Sequence, residues 1–222
     1  MTEPIRLERL TIRRGRKIAC ADVSLAVPRG AVYALLGRNG AGKSSLIECI
    51  TGKERPFAGR ALVFGEDSWR RRRHLRKRIA LRPEELGGDR ELLVLLEPKE
   101  TLQICTDATV FLATADPTLV TSVATNVGIL RRGHLVYDAT TVDVDRRLRR
   151  IRYVNRMTES RTAFGTELDE FHSLQVQVRG WGIEAIVADF EPEAFARFRA
   201  LDGVEDVSVE TMTLSEVFEA LG

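Results

Sequence analysis

The residues with the clearest chemical potential lie together at positions 37 to 45. The run reads Gly37-Arg38-Asn39-Gly40-Ala41-Gly42-Lys43-Ser44-Ser45, and it fits the phosphate-loop pattern of a glycine, four residues and then Gly-Lys-Ser. Glycines let successive N–H groups turn inward around phosphate oxygens at the beginning of a helix. Lys43 can then reach the outer phosphates of a nucleotide, and Ser44 can place its hydroxyl on Mg²⁺. The pattern therefore predicts nucleotide binding, with a chance glycine-rich turn as the alternative.

The elements around this run are those that a phosphate loop requires. An apolar stretch typical of a strand, residues 31 to 36, precedes it, and Leu46, Ile47 and Ile50 follow with helical spacing. Residues 5 to 12 and 23 to 27 are two further β-like stretches. A strand, a loop and a helix in this order form the setting in which the pattern binds phosphate.

The segment from Leu35 to Ile47 also resembles the Walker A motif of ATP-binding cassette (ABC) ATPases. Residues 22 to 30 resemble the family's approach to that motif, and residues 128 to 135 resemble its strand and turn after the switch region. Residues 212 to 218 resemble the last helix of ATPases that serve ABC-2-type exporters. The resemblance implies an α/β fold, a P-loop NTPase core with N-terminal β-strands, ATP and Mg²⁺ as cofactors, and an ABC-2-type membrane permease or a paralogous ABC ATPase as partner.

The resemblance implies three further site residues. Glu84, after Pro83, falls on the family's residue that touches Mg²⁺ and the attacking water, which makes it a metal ligand beside Ser44. Glu97, before Pro98, falls on the family's catalytic glutamate, or else is a strand-end carboxylate left from an active ancestor. Arg14 falls near the aromatic residue that stacks on adenine.

The chain departs from the family pattern where hydrolysis is concerned. Leu96 stands where the family has a metal-holding Asp, and Ala115 stands where it has the switch His. Only 13 positions separate Glu84 from Glu97, too few for the family's helical subdomain and its signature motif, and residues 86 to 89 are interpreted as a turn. We expect a truncated, degenerate ATP-binding protein with weak or absent hydrolysis. The alternatives are an active transport ATPase that works through Glu97 and an interaction module that binds no nucleotide.

The pattern divides the chain into residues 1–140, a truncated nucleotide-binding domain, residues 141–152, a basic linker helix, and residues 153–222, a small α+β domain. In the first, residues 92 to 95 are expected to run parallel to a strand at 110 to 113, with a short crossover helix between them. The third shows strand alternation at 174 to 178 and 183 to 187, a helix from Pro192, a strand after Gly203 and a closing helix at 214 to 221. It resembles the C-terminal domain of the same exporter ATPases, it is a candidate surface for a homodimer, and Trp181 is expected in its core.

Charge and composition add little about partners. The net charge of the 222 residues is +2, which is too small to indicate a particular partner. Two basic runs, at 70 to 78 and 146 to 152, are interpreted as solvated helix faces or docking surfaces for a protein, with an anionic membrane surface as the next alternative. Nucleic acid is the least favoured partner for these runs, because few aromatic residues lie among the basic ones.

Cysteines and histidines predict no second active site. Cys20, Cys49 and Cys105 lie apart in apolar segments, which is typical of reduced buried thiols. His74, His134 and His172 lack metal-ligand spacing. The longest apolar stretches are strand-sized and no signal peptide is seen, so we expect a cytoplasmic protein, at most peripheral to the inner face of the cell membrane.

Overall fold

The computed structural model describes residues 3–82, 91–95, 108–156, 168 and 170–221. The fold is α/β, as predicted, and the chain divides into two compact units, Met1–Ala139 and Thr140–Gly222. Among the described helices, none combines the length and the apolar character that a membrane crossing needs.

The first unit contains two sheets and three helices in its described part. Its elements, in chain order, are β1 (Ile5–Arg14), β2 (Lys17–Val27), β3 (Val32–Leu36), α1 (Lys43–Ile50), β4 (Ala58–Val63), β5 (Glu66–Asp67), α2 (Arg72–Leu75), β6 (Ile79–Arg82), β7 (Glu91–Leu95), β8 (Thr109–Thr114), α3 (Pro117–Val123), β9 (Asn126–Arg131) and β10 (His134–Thr140). The loop at 37 to 42 lies between β3 and α1, as the sequence predicts.

An antiparallel sheet with the order β2-β1-β4-β5 forms one layer of this unit. The two predicted β stretches pair as a hairpin, with Ile5 opposite Val27 and Leu7 opposite Leu25. These apolar residues are buried and alternate with exposed polar ones, because side chains on a strand point to opposite faces in turn.

The second layer is a six-stranded sheet with the order β10-β9-β3-β8-β7-β6. The central strand β3 runs parallel to both β8 and β9. Its residues Tyr33 to Leu36 are all buried, which agrees with the continuous apolar run that a strand covered on both faces requires.

The expected parallel pairing of residues 92 to 95 is wrong. Strand β7 runs antiparallel to β8, with Glu91 opposite Ala113 and Leu95 opposite Thr109, and β6 runs antiparallel to β7. An apolar run reads the same in either direction, so its pattern carries no information about strand direction. A short connection favours the antiparallel choice, since antiparallel neighbours need no crossover. Leu96 and Glu97, which were assigned to the end of this strand, lie outside the described residues.

The second unit is built on one antiparallel sheet with the order β12-β13-β11-β14. Its elements are α4 (Thr141–Arg147), β11 (Arg149–Asn155), β12 (Ser173–Arg179), β13 (Gly182–Val187), α5 (Pro192–Arg199), β14 (Val204–Thr211) and α6 (Leu214–Leu221). The predicted strands β12, β13 and β14 and the helices α5 and α6 are confirmed. Helix α6 begins with a capping box, in which Thr213 N–H donates to Glu216 Oε2 at 2.8 Å and Glu216 N–H to Thr213 Oγ1 at 3.3 Å.

The predicted basic linker helix over residues 141–152 is wrong in its second half. Helix α4 ends at Arg147, and Arg149 begins β11. Ile151 and Tyr153 are fully buried, while Arg152 lies on the other face and donates to Glu184 Oε2 and Glu210 Oε1 at 2.9 Å each. Arg150 and Arg152 thus lie on the polar face of a strand, and their ion pairs with Glu184 and Glu210 lie within the unit.

Trp181 is not a core residue, contrary to expectation. It occupies the tight turn between β12 and β13 and is 51% exposed. The core of this unit consists instead of Ile151, Tyr153, Ile183 and Ala185 on the sheet with Phe198 on α5. In the first unit, the basic run at 70 to 78 follows Trp69, and the guanidinium of Arg72 lies over the Trp69 ring at 4.5 Å.

Candidate phosphate-binding site

The loop at residues 37 to 42 is fixed at both ends by backbone hydrogen bonds. Gly37 N–H donates to Thr114 O on β8 at 3.1 Å, and Ala41 N–H donates to Arg38 O at 3.0 Å. Gly42 is the N-cap of α1, and its carbonyl accepts from Leu46 N–H at 3.1 Å. The first N–H groups of a helix have no acceptor within the helix, so this geometry offers backbone donors to an anion.

Three glycines of the loop are required by the geometry. A Cβ on Gly37 would lie 2.8 Å from Leu130 O, and a Cβ on Gly42 would lie 2.6 Å from both Ala19 O and Cys20 Sγ. Gly40 and Gly42 have φ angles of 79° and 112°, in the region that L side chains rarely adopt. The loop is therefore a cradle of backbone atoms, as the sequence pattern predicts.

Lys43 lies across this cradle. Its side chain is buried, and Nζ donates to Gly37 O at 2.7 Å and to Arg38 O at 3.2 Å. These bonds hold the ammonium at the mouth of the loop, where a phosphate oxygen would be an acceptor of opposite charge.

The other residues of the motif differ in exposure. Ser44 is exposed in the first turn of α1, while Ser45 and Ala41 are buried. A hydroxyl is an oxygen ligand of the kind that Mg²⁺ prefers, so Ser44 is the serine whose position suits a metal. Arg38, Asn39 and Gly40 form the exposed crest of the loop.

Strand β2 and the turn between β9 and β10 support the loop from outside. Gly133 N–H donates to Ala41 O, and Ala21 N–H donates to Gly133 O, each at 2.9 Å. A Cβ on Gly133 would lie 2.6 Å from Ala19 O. The sequence shows Gly133 only as part of a turn, and this contact with the loop was missed. Its single signal is the glycine between two strand-like runs.

The structure brings Ala115 to the edge of the loop. It follows Thr114, whose carbonyl accepts from Gly37 N–H. Asp116, the next residue, is the N-cap of α3 and accepts from Thr118 N–H at 3.0 Å and Leu119 N–H at 3.3 Å. The methyl group of Ala115 can neither donate nor accept a hydrogen bond at this position.

Arg14 lies at the end of β1 and forms ion pairs with Glu48 on α1 and with Glu54, the latter at 2.9 Å. Such pairs use the N–H groups in the plane of the guanidinium, whereas a base would stack on its face. Stacking of adenine on Arg14 stays a prediction.

The remaining predicted ligands cannot be placed. Glu84 and Glu97 lie outside the described residues. Within the part of the chain that the structure describes, no group of three or more His, Cys, Asp or Glu residues could hold a metal ion. Cys20 and Cys49 are buried thiols, as predicted, and Cys105 is outside the described residues.

Comparison with known proteins assigns the chain to a family. The sequence model of the family described as "ABC transporter" matches residues 20–168. The chain belongs to the ABC transporter family. The matched residues of this ABC protein include the loop at 37 to 42, strand β2 from Cys20 onward and the turn at Gly133.

Curated relatives of this ABC protein match it over shorter stretches. The methionine import ATP-binding protein MetN of Desulfitobacterium hafniense (strain Y51) is 42% identical over 67 residues, which are 28% of this chain and 20% of the relative. The ribose import ATP-binding protein RbsA 1 of Rhizobium etli is 46% identical over 68 residues, which are 30% of this chain and 13% of the relative. The chain thus spans a fifth or less of the length of these relatives.

Solved structures of ABC proteins are also similar to this chain. An ATP-binding subunit of an ABC transporter is 15% identical, with a TM-score of 0.46, 64% of this chain and 92% of that chain covered. A nucleotide-free ATP-binding cassette from an ABC transporter is 36% identical, with a TM-score of 0.29, 30% of this chain and 26% of that chain covered.

Proposed function

We propose that this ABC-family chain binds ATP with Mg²⁺ at the loop between β3 and α1 and serves as a nucleotide-binding component of a membrane transporter. The observation that carries the proposal is the position of Lys43, whose Nζ lies 2.7 Å from Gly37 O across a cradle of glycines. The N-terminus of α1 and the buried ammonium of Lys43 both lie at this loop, an arrangement that suits the phosphates of a nucleotide.

The residues fit the cofactor as follows. Gly37, Gly40 and Gly42 allow the loop conformation, since a Cβ on Gly37 or Gly42 would collide with neighbouring backbone and Gly40 has a positive φ angle. Ser44 and Glu84 are the proposed Mg²⁺ ligands, and the ion would neutralise charge on the outer phosphates. Arg14 is the proposed platform for the base.

We expect hydrolysis to be weak or absent. Ala115 follows directly on Thr114, at the edge of the loop, and it supplies no imidazole there. Leu96 stands where the family has a metal-holding Asp, and an apolar side chain cannot hold a hard cation. Each such loss typically costs about 10² to 10⁴ in rate. Glu97 is the proposed catalytic residue for any turnover that remains.

The proposed partner is a membrane permease of the ABC-2 type or a paralogous ABC ATPase, because residues 212 to 218 resemble the last helix of ATPases that serve such exporters. The second candidate is an import permease, because the relatives that match over short alignments are named import ATP-binding proteins. In either case the protein would work at the inner face of the cell membrane, peripheral to it. A homodimer through the second unit is part of the same proposal.

Two other functions make different predictions. An active ATPase would release phosphate at ordinary rates for the family and lose that activity on Glu97→Gln. An interaction module that binds no nucleotide would show no heat of ATP binding. The contacts of β2 and Gly133 with the loop argue against the interaction module, since a chance glycine-rich turn would not require them.

Isothermal calorimetry with ATP and Mg²⁺, paired with steady-state phosphate release, tests the proposal. We expect saturable binding, its loss in Lys43→Ala, and little or no turnover. Lys53→Ala is the matched control, because Lys53 is an exposed lysine just beyond the other end of α1. Absence of binding at millimolar ATP, or equal loss in both lysine variants, would contradict the proposal.

A further inference from the structure

Cys20 is a buried thiol that lies against the phosphate loop. Its Sγ donates to Gly42 O at 3.4 Å, and the side chain is fully buried on β2. Burial raises the pKa of the Cys20 thiol to about 12, so at neutral pH the sulfur carries its proton and can act as a donor.

The carbonyl that this thiol contacts has a special place in the site. Gly42 O also accepts Leu46 N–H at 3.1 Å, the first hydrogen bond of α1. The same peptide group contains the N–H of Lys43. Because a peptide is planar and its C=O and N–H point in opposite directions, whatever fixes Gly42 O also fixes the direction of Lys43 N–H.

The contact between Cys20 and Gly42 is tight. A Cβ on Gly42 would lie 2.6 Å from Cys20 Sγ and 2.6 Å from Ala19 O. Gly42 has a φ angle of 112°, which few other residues could adopt. The peptide is therefore bounded by β2 on one side and drawn into α1 on the other.

We infer that Cys20 is a positioning residue for nucleotide binding, whose thiol holds the Gly42 carbonyl and so aims the Lys43 N–H at the bound phosphate. This inference rests on the proposed function, since it assigns a role within the same site. The thiol acts on the loop and touches no base, so it affects any ligand that presents a phosphate chain.

The test compares four proteins: the unmodified chain, Cys20→Ala, Cys20→Ser and Cys49→Ala. Cys49 is the matched control because it is a buried thiol of the same core cluster, lies in α1 and also has its pKa raised to about 12 by burial. Calorimetry gives the Kd of each protein for ATP with Mg²⁺ and for sodium tripolyphosphate, and thermal unfolding without ligand gives each Tm.

Cys20→Ala should weaken the binding of both ligands by about threefold, the low end of the effect of one lost hydrogen bond, because S–H is a weak donor. Cys20→Ser should recover most of the affinity because its hydroxyl is also a donor. Cys49→Ala should lower Tm while leaving both Kd values unchanged. In ¹⁵N spectra, Cys20→Ala should move the Lys43 amide resonance more than Cys49→Ala does.

Three results would overturn the inference while leaving the proposed function intact. Cys20→Ala could bind both ligands as tightly as the unmodified chain, or Cys20→Ala and Cys49→Ala could lose affinity equally. In the third, Cys20→Ala would lose affinity for ATP but keep its affinity for tripolyphosphate. If the unmodified chain binds neither ligand, the proposed function fails, and the positioning role fails with it.

Discussion

The hydroxyl of Tyr33 donates to Asp138 Oδ1 at 2.9 Å, across 105 positions of the sequence. Tyr33 is fully buried in the strand that leads to the phosphate loop, and its ring stacks on Phe111 with centroids 5.4 Å apart. Gly128 lies so close that a Cβ there would be 2.3 Å from the Tyr33 hydroxyl. A buried hydroxyl thus links β10 to β3 and requires glycine on β9 between them.

Tyr33→Phe should lower the free energy of unfolding by about 0.5 to 1.5 kcal/mol, because the change removes one hydrogen bond and little apolar contact. Urea unfolding of the full chain measures it. The loss should shrink in an Asp138→Ala background. Gly128→Ala should be strongly destabilising in the unmodified chain and less so with Phe at position 33. Equal effects of Gly128→Ala in both backgrounds would show that the hydroxyl is not the obstacle.

Gly42→Ala should abolish binding of ATP and of tripolyphosphate. The new Cβ would meet Ala19 O at 2.6 Å, and the φ angle of 112° would be strained as well, so the loop must shift. Gly180→Ala is the control, since no atom lies within 4 Å of its Cβ position. Calorimetry on both variants, with circular dichroism to verify folding, decides the matter. A folded Gly42→Ala protein with normal affinity would show that the cradle is not the binding site.

Turnover should stay near background in the unmodified chain. The double variant Leu96→Asp/Ala115→His restores the family's carboxylate and imidazole. It should raise the turnover rate little, since the family's signature motif is absent. Phosphate release followed over hours measures the rate, and Glu97→Gln identifies any contribution of that carboxylate. Rates typical of ABC ATPases that vanish in Glu97→Gln would replace our proposal with that of an active enzyme.

The second unit offers a contrast between two aromatic residues. Phe198 is 3% exposed and packs edge-on against Tyr153, with 5.0 Å between the ring centroids. Phe198→Ala should lower the free energy of unfolding by about 3 to 5 kcal/mol. Trp181→Ala should change stability by only about 0.5 kcal/mol. Denaturant unfolding of both variants gives the comparison. A large loss for Trp181→Ala would mean that this side chain is covered in solution.

The capping box of α6 predicts a dependence on pH. The backbone N–H and the hydroxyl of Thr213 lower the pKa of Glu216 below its usual value. The unfolded chain therefore takes up this proton at higher pH than the folded one. The stabilisation is complete above the unfolded value of about 4.3 and is lost as the pH falls through the folded pKa. Glu216→Gln should flatten this part of the stability profile, measured by urea unfolding between pH 7 and pH 3.

The place of the loop between β3 and α1 and its need for glycine could be predicted, because residues local in sequence determine both. The strands β12 and β13 and the start of α5 at Pro192 were predicted for the same reason. The direction in which two strands pair depends on residues far apart in sequence. The apolar run of β7 therefore gave no indication that it lies antiparallel to β8. The bond between Tyr33 and Asp138 and the bond between Gly133 and Ala41 join distant segments. A local pattern can indicate a turn at Gly133, but it cannot show which residue that turn contacts.

The prediction of a helix at the residues of β11 was wrong because it relied on the arginines. The basic run at 146 to 152 suggested one face of a helix, yet the buried residues Ile151 and Tyr153 on either side of Arg152 follow the alternation of a strand. A period of two and a period of 3.6 are hard to separate over so few residues when the polar positions are all of one charge. The acidic partners Glu184 and Glu210, which distinguish the two, come from other strands.

The positions of the two tryptophans have a practical consequence for studies in solution. The chain has two tryptophans, and Trp69 lies in the first compact unit while Trp181 lies in the second. Each unit therefore carries its own intrinsic fluorophore. Under excitation selective for tryptophan, Trp69→Phe leaves emission from the second unit alone, and Trp181→Phe leaves emission from the first. The two halves of the chain can be followed separately as they unfold, without any label.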